Sequence, residues 1–287
     1  MKGEKCDLKE DKPTRMWKII SPAIIYYFIR MAVEMLFGLS GIYMEFRETY
    51  RRYGVISETA YFVENLQRKI GDYSDYTIFL SALLALIYFG YNMKREKTGI
   101  VKRLKSKINV QYLISCIIFA VSLAAIISTF LSILPTDEMF GKYGISDGTI
   151  LSDSIVFRLI TIAVMVPVVE EIIYRGLIYT RIRNEYRAYI AMIVSSLIFA
   201  VFTFSIKQGI YAFIMGMAYS LCNELSDDIR YPVFMHAVVN ACFVLAGYYR
   251  TDGIYDSIFM TVIMSVVELA ALLLALGVIL KMDEKRG

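Results

Sequence analysis

The sequence predicts an all-α, polytopic membrane protein, a helical bundle of about eight transmembrane helices. The chain has 287 residues, of which 57% are hydrophobic, and its mean hydropathy is +0.53. A soluble domain of this length needs less apolar surface, whereas each membrane crossing needs a run of about 20 apolar residues. Such runs recur along the chain between polar segments. We therefore expect a single integral membrane domain over residues 1–287.

The apolar runs divide into eight predicted spans. Pro232 is well placed in the first turn of the seventh span, where proline is tolerated. Gly216, Ala218 and Ser220 in the sixth span are small enough to let another helix approach closely. A tight turn at residues 207–209 is expected before that span. The spans lie at about residues 19–44, 76–93, 110–134, 154–180, 188–206, 210–221, 232–249 and 257–280.

The distribution of basic residues predicts the orientation of the chain. With eight spans, 20 of the 31 lysines and arginines lie on the side of the N-terminus and 8 on the opposite side. Segments rich in lysine and arginine near span ends stay in the cytoplasm. We expect a cell-membrane protein with both termini, the polar tail 1–18 and the basic linker 94–107 in the cytoplasm. Membrane lipid is then a partner, and no nucleic-acid partner is expected.

The fourth predicted span carries charge at a depth where charge is costly. Inserting an ionised residue near the middle of a membrane helix costs roughly 2.5 to 3.5 kcal/mol, and this span holds Glu170, Glu171 and Arg175. Glu171 and Arg175 are four residues apart and can pair on one face, as a structural lock or as part of a reaction centre. Glu170 points about 100° away and has no obvious local partner. Pro167, one turn earlier, frees a backbone carbonyl at the same place.

Further polar residues are predicted at similar depth on neighbouring spans. Phe199 and Thr203 lie in the fifth span, and His236 and Asn240 lie one turn apart in the seventh. We expect Glu170, Thr203, His236 and Asn240 to face one polar cavity open to the cytoplasm, because polar groups facing lipid are costly. A carboxylate can take a proton from water, while imidazole and amide groups can donate hydrogen bonds to an oxyanion. The set therefore fits peptide hydrolysis.

Two features of the sequence, the Arg30–Glu34 pair and His236, each have two interpretations. Arg30 and Glu34 in the first span are again four residues apart, and they either satisfy each other or line the same cavity as Glu170. His236, the sole histidine, is either a satisfied core residue or part of the site.

The expected chemistry needs no cofactor. The four cysteines are scattered and suggest neither a disulfide framework nor a zinc site. Zinc would need three good ligands, which here means Glu170, Glu171 and His236 together. We therefore expect no metal site, with a divalent metal as the open alternative. The cysteines are Cys6, Cys116, Cys222 and Cys242.

The chain resembles the CPBP (Abi) family, which comprises type II CAAX prenyl proteases and bacteriocin-processing or immunity proteins. The resemblance covers about residues 155–245, the expected catalytic core. It rests on four motifs, which are E-E-x-x-x-R-G at 170–176, S-S-L-I-F-A at 195–200, F-I-M-G-M at 213–217 and H-x-x-x-N at 236–240.

The resemblance implies an eight-helix intramembrane endopeptidase of the glutamic type or a metal-dependent one. It implies that Glu170 activates the water and that Glu171 and Arg175 support Glu170. By the same resemblance, His236 and Asn240 hold the oxyanion. The implied substrate is a peptide or a membrane protein.

One motif departs from the family pattern. The family places a histidine four residues after the phenylalanine of its second motif, whereas Phe199 is followed by Thr203 here. A threonine hydroxyl cannot replace an imidazole as a base near neutral pH. The alternative function is therefore a catalytically reduced or silent relative that binds a peptide or partner, as in bacteriocin immunity. A small-solute transporter has little support, because no inverted repeat of broken helices is visible.

Overall fold

The computed structural model describes residues 12–53, 62, 65–66, 73–95, 107–133, 154–249 and 258–284. The longer stretches form eight helices, and no strand occurs among the described residues, which confirms the predicted all-α fold. Most of the basic linker and the acidic loop 136–153 lie outside the described residues. The helices are α1 (Lys12–Tyr53), α2 (Ser74–Arg95), α3 (Val110–Ile133), α4 (155–183), α5 (Ala188–Val201), α6 (Ile206–Ser226), α7 (Arg230–Tyr249) and α8 (Ile258–Glu284).

Five of these helices, α1, α2, α3, α7 and α8, are long and apolar enough to cross a membrane. The protein is therefore a multi-pass membrane protein. Helix α5 is apolar but has 14 residues, about 21 Å at 1.5 Å per residue, which falls short of a hydrocarbon core of about 30 Å. Helices α4 and α6 bury polar side chains within the bundle. The eight predicted helices are thus present, but not as eight long apolar spans.

The helices pack into two apolar clusters. Helices α6, α7 and α8 pack on α3 around the first cluster, which includes Cys116 and Cys222. Helices α1, α2, α4 and α5 form the second cluster. Helix α4 also packs against α7 and α6. It is therefore the element that brings groups from both halves of the bundle together.

The turn between the fifth and sixth helices lies at a different place from the predicted one. Helix α5 ends at Val201, and Phe204 in the following turn has a φ of 53°. Helix α6 begins at Ile206 because Ser205 is its N-cap and accepts a hydrogen bond from the Gln208 amide. The predicted turn at residues 207–209 is therefore wrong, since those residues form the first turn of α6.

Helix α1 extends beyond the predicted span 19–44 at both ends. It begins at Lys12 and continues to Tyr53, into the polar segment that follows the predicted span. Its polar continuation buries Glu45 and Thr49, and the Thr49 hydroxyl donates a hydrogen bond of 3.3 Å to the Glu45 carboxylate. Because polar residues beyond the apolar span still pair along the helix, loss of hydropathy does not end it.

Helix α4 changes its hydrogen-bond register on both sides of the two glutamates. Leu159–Met165 and Ile172–Tyr179 are π-helical, and the short α-helical segment Val166–Glu171 lies between them. In a π-helix each N–H bonds to the carbonyl five residues earlier, which widens the turn and alters which side chains share a face. Such segments frequently occur at functional sites.

The carbonyl freed by Pro167 has a specific partner. In the π register the amide of Val166 bonds to the Thr161 carbonyl, so the next pair would join residue 167 to the Ile162 carbonyl. Proline has no N–H to donate. The side chain of Asn240 donates its Nδ2 hydrogen to the Ile162 oxygen instead, at 2.9 Å. The predicted free carbonyl is thus confirmed, and it fixes α7 against α4.

The end of α4 is attached to the end of α6. Glu224 accepts a hydrogen bond of 2.5 Å from the Tyr179 hydroxyl and one of 3.0 Å from Arg183 Nε. The hydrogen bond and the negative charge of Glu224 raise the pKa of Arg183 above its usual value. These contacts lie at the polar end of both helices, beyond their apolar parts.

Candidate active site

A cavity of about 380 Å³ lies between α1, α4, α5, α6 and α7. Glu170, Thr203, His236 and Asn240 all line it, which confirms the prediction that these four residues share one cavity. The side on which it opens stays a prediction. Its other walls are largely aromatic and apolar, and they include Tyr26, Tyr27, Tyr174, Phe199, Phe202, Phe204, Met215 and Tyr219.

Behind the cavity wall, Glu171 is enclosed by two nitrogen partners. Its Oε1 accepts a hydrogen bond of 2.9 Å from Arg175 Nη1 and lies 2.9 Å from His236 Nδ1. The side chains of Glu171 and Arg175 are both 0% exposed. An ionised carboxylate only accepts hydrogen bonds, so the proton of a neutral His236 ring lies on Nδ1. Glu171 therefore sets both the tautomer and the orientation of this imidazole.

Arg175 joins α4 to α6 as well as to Glu171. Its Nη2 donates a hydrogen bond of 2.9 Å to the Gly216 carbonyl. Its guanidinium carbon lies 5.2 Å from the centre of the Phe199 ring and 5.3 Å from that of Tyr219, within the range of cation–π attraction. The guanidinium is thus fixed by a carboxylate, a carbonyl and two aromatic rings.

Gly216 makes this contact possible. A Cβ at this position would lie 3.0 Å from the Ser196 side chain of α5 and 3.2 Å from Arg175 Nη2. The interpretation of Gly216 as a residue that permits close helix approach is therefore confirmed, and the approach also exposes its carbonyl to the guanidinium.

Glu170 lies on the cavity side of α4, in contrast to Glu171. Its side chain is 15% exposed, and its Oε2 lies 3.8 Å from His236 Nε2. That separation is too long for a direct hydrogen bond. The two ring nitrogens of His236 thus face two consecutive glutamates, one buried and one in the cavity.

Thr203 does not lie on α5 as predicted but in the turn that follows it. Its hydroxyl donates to the Ala200 carbonyl at 2.7 Å and lies 3.2 Å from the Ser205 carbonyl. The reason is the early end of α5, whose last carbonyls need a partner that the helix no longer supplies. Thr203 therefore lines the cavity while its proton serves the turn.

Arg30 and Glu34 satisfy both interpretations that the sequence left open. They pair with each other at 3.3 Å, and both line the cavity that contains Glu170. The first helix therefore contributes a charged pair to the cavity wall.

The sequence did not reveal three partners in this site. Tyr219 stacks on His236 with ring centres 5.0 Å apart and an angle of 23° between the planes. The other two partners are the backbone carbonyls of Gly216 and Ile162. Backbone acceptors leave no signal of their own in a sequence, although Pro167 pointed to the second. For Tyr219 the available signal was that it lies one helical turn after Met215, the central residue of the F-I-M-G-M segment.

The donor set for a metal is limited. Among the described residues, no group of three or more histidine, cysteine, aspartate and glutamate side chains is arranged to hold a metal ion. Because His236 directs one nitrogen towards each glutamate, a single ring nitrogen does not meet both carboxylates. The expectation of a metal-free site stays a prediction.

Comparison with known proteins identifies the core that carries this geometry. Residues 152–242 match a family model described as "Type II CAAX prenyl endopeptidase Rce1-like". Over these residues, the match supports the resemblance to the CPBP (CAAX protease) family. It includes α4 to the middle of α7, and therefore Glu170, His236 and Asn240, but not Arg30 and Glu34 on α1. No curated protein and no solved structure matched the chain.

Proposed function

We propose that the protein is a CAAX protease-like intramembrane endopeptidase that hydrolyses a peptide bond of a membrane-associated substrate, using a water activated by Glu170. The observation that carries this proposal is the position of the Glu170 carboxylate in the cavity, 3.8 Å from the only imidazole of the chain. The family match supports protease activity in general. The reaction needs no cofactor in this scheme.

The reaction balances with one water and one carboxylate. Glu170 takes a proton from the water while the water oxygen bonds to the carbonyl carbon of the peptide. The C–N bond then breaks, and Glu170 returns the proton to the leaving nitrogen. The products are a carboxylic acid and an amine.

Asn240 is the proposed donor to the oxyanion, and the family resemblance implies His236 as a second one. One amide hydrogen of Asn240 binds the Ile162 carbonyl, so its second hydrogen is the one available to a substrate oxygen. For His236 the role depends on its protonation. Because Nδ1 gives its proton to Glu171, Nε2 can donate only when the ring carries a second proton.

Glu171 and Arg175 act as positioning residues in this proposal. Their side chains are fully buried behind the cavity wall, and they contact His236, Gly216 and the aromatic rings rather than the cavity. They fix the imidazole and the α4–α6 contact, which supports the geometry in which Glu170 works.

The substrate is proposed to reach the cavity from the membrane or from the cytoplasmic side, with both termini of the protein in the cytoplasm. The aromatic and apolar walls suit a hydrophobic peptide segment, and membrane lipid surrounds the bundle. Labelling of an Ile100→Cys variant, in a background without native cysteines, tests this orientation. A membrane-impermeant reagent that labels it from outside intact cells would overturn it.

A second candidate function is a silent relative that binds a peptide or partner. The observation that favours it is Thr203, which stands where the family has a histidine and whose hydroxyl donates to the Ala200 carbonyl. In that case the cavity would hold a peptide without cleaving it.

One experiment separates the two. Purified protein in lipid vesicles is incubated with a library of membrane-anchored peptides, and cleavage is followed by mass spectrometry. We expect the wild type to cleave and Glu170→Gln to lose at least about 100-fold in kcat, the usual range for a general base. Glu185→Gln, which changes an exposed carboxylate between α4 and α5, is the matched control and should keep its activity. Binding without cleavage by the wild type would favour the silent relative.

A further inference from the structure

Because Nδ1 of His236 pairs with Glu171, the other ring nitrogen, Nε2, is left without a direct hydrogen-bond partner among the described side chains. In the neutral ring the Nδ1 proton is donated to Glu171 at 2.9 Å, which leaves a lone pair on Nε2. That lone pair is on the cavity side, 3.8 Å from the Glu170 carboxylate. In its neutral form, Nε2 is therefore a hydrogen-bond acceptor beside the proposed base, not a donor.

A single water can join these two acceptors. A water about 2.8 Å from each atom spans a separation of 3.8 Å with a narrow but accessible angle between its two hydrogen bonds. Its two hydrogens would then point to Glu170 and to His236, and its two lone pairs would point away from them, into the cavity. This is the orientation that a nucleophilic water needs.

The sequence offers no second imidazole for this role. Thr203, at the position of the missing histidine, donates its hydroxyl proton to Ala200 and has no basic nitrogen. His236 is the only histidine in the whole sequence. Any imidazole assistance to Glu170 must therefore come from α7.

The imidazole is also held rigidly enough for the task. One face of the ring stacks on Tyr219 at 5.0 Å, and Phe199 meets it edge-on at 6.2 Å. Glu171, which holds Nδ1, is in turn fixed by Arg175. The direction of the Nε2 lone pair is thus set by three neighbouring side chains, one of which is itself fixed by Arg175.

We propose that in this chain His236 activates the water together with Glu170, with Glu171 as the residue that positions the imidazole. This rests on the proposed function. The water gives one proton to Glu170 and keeps its second hydrogen, which donates a hydrogen bond to Nε2 of His236, while its oxygen bonds to the peptide carbon. Glu170 passes the first proton to the leaving nitrogen when the C–N bond breaks. The second amide hydrogen of Asn240 then serves the oxyanion.

Two substitutions at this position separate three possible roles of the imidazole. Asparagine places an amide near Nδ1, so His236→Asn keeps a donor to Glu171 but lacks a group at Nε2. Glutamine places an amide near Nε2, so His236→Gln keeps a donor to the oxyanion but lacks the contact with Glu171. Neither amide carries a lone pair basic enough to replace imidazole nitrogen.

Both variants are assayed in vesicles with a peptide that the wild type cleaves. We expect each to lose at least about 100-fold in kcat with KM largely unchanged, since the lost interaction acts on the chemical step. An active His236→Gln would overturn the proposal in favour of an oxyanion donor. An active His236→Asn would overturn it in favour of a structural role. Thermal unfolding of each variant shows whether it is folded at the assay temperature.

A second-site histidine provides the remaining test. If the imidazole acceptor beside Glu170 has been lost, Thr203→His in the His236→Asn background should recover at least about tenfold of the lost rate, because assistance to general acid–base catalysis is typically worth more than that. This double variant is a sufficient test even if His236→Gln does not fold. The absence of recovery would then overturn the proposal. Inactivity of the wild type towards every peptide would instead overturn the proposed function itself, so the two failures are distinguishable.

Discussion

Glu170 and Glu171 are consecutive and chemically identical, but their surroundings differ in every respect. Glu171 is 0% exposed, with Arg175 and His236 on the same oxygen. Glu170 is 15% exposed and faces a cavity, with His236 at 3.8 Å as a neighbour. A rotation of about 100° between consecutive residues of a helix is enough to produce this difference.

The comparison shows how one helix can both hold a site and expose it. On the Glu171 side, charge is matched by charge, by a backbone carbonyl and by aromatic rings, so this side fixes geometry. On the Glu170 side, the charge is left available to a water or a substrate. Breaking the first side should therefore damage the fold, whereas changing the second should damage activity alone.

The largest effect is expected from Arg175→Met, which removes the cation and leaves Glu171 buried without it. Truncating one partner of a buried ion pair costs about 3–5 kcal/mol. Thermal or denaturant unfolding of the purified protein in detergent measures this. Arg183→Met is the matched control, because Arg183 pairs with Glu224 at an exposed site, where solvent screens an ion pair and leaves it little effect on stability. If the two variants were equally stable, the buried contacts around Glu171 would not stabilise the fold as we infer.

The next effect tests the close approach of α5 and α6. Gly216→Ala places a methyl group 3.0 Å from Ser196 and 3.2 Å from Arg175 Nη2. Overpacking of this kind costs about 1–3 kcal/mol, and it should also weaken the bond from Arg175 to the Gly216 carbonyl. The same substitution at Gly247 of α7, where nothing lies within 4 Å, is the control. A Gly216→Ala protein that unfolds like Gly247→Ala would show that the contact is loose.

The sequence was sufficient for the fold class and for the set of residues in the cavity. Hydropathy and charge predicted the helical bundle, because membrane helices must be apolar where they face lipid. The same cost of exposing polar groups to lipid predicted that Glu170, Thr203, His236 and Asn240 turn to a common cavity.

What the sequence could not predict depends on tertiary contacts. That both His236 nitrogens meet a glutamate follows from how α7 packs on α4, which periodicity does not contain. Thr203 was expected on a helix, since the apolar pattern continues through residues 202–206. The N-cap formed by Ser205 ended that helix early instead. Asn240 of α7 likewise meets the Ile162 carbonyl within the first π-helical segment of α4, a tertiary contact that periodicity does not contain.

A smaller effect is expected where Asn240 binds a backbone carbonyl within α4. Asn240→Leu leaves the Ile162 carbonyl without its donor, which should cost about 1 kcal/mol for a partly buried acceptor, at the low end of the range for buried ones. Pro167→Ala restores a backbone N–H that can pair with this carbonyl. In the double variant the cost of Asn240→Leu should therefore fall by about 1 kcal/mol, measured as a coupling energy in a double-mutant cycle. Strict additivity would mean that the carbonyl is satisfied in another way.

The smallest effect on stability is expected for Glu170→Gln, the substitution that should abolish activity. No side chain that the structure describes forms a hydrogen bond with the Glu170 carboxylate, and His236 Nε2 is 3.8 Å away. Replacing the charge by an amide of the same size removes no buried partner, so the free energy of unfolding should change by no more than about 0.5 kcal/mol. Glu171→Gln is the control at the neighbouring position, where loss of the charge opposite Arg175 should cost clearly more. Unfolding in detergent, measured for both variants at the same pH, compares them directly. If Glu170→Gln were the more destabilised of the two, Glu170 would be a structural residue, and its place as the water-activating base would have to be abandoned.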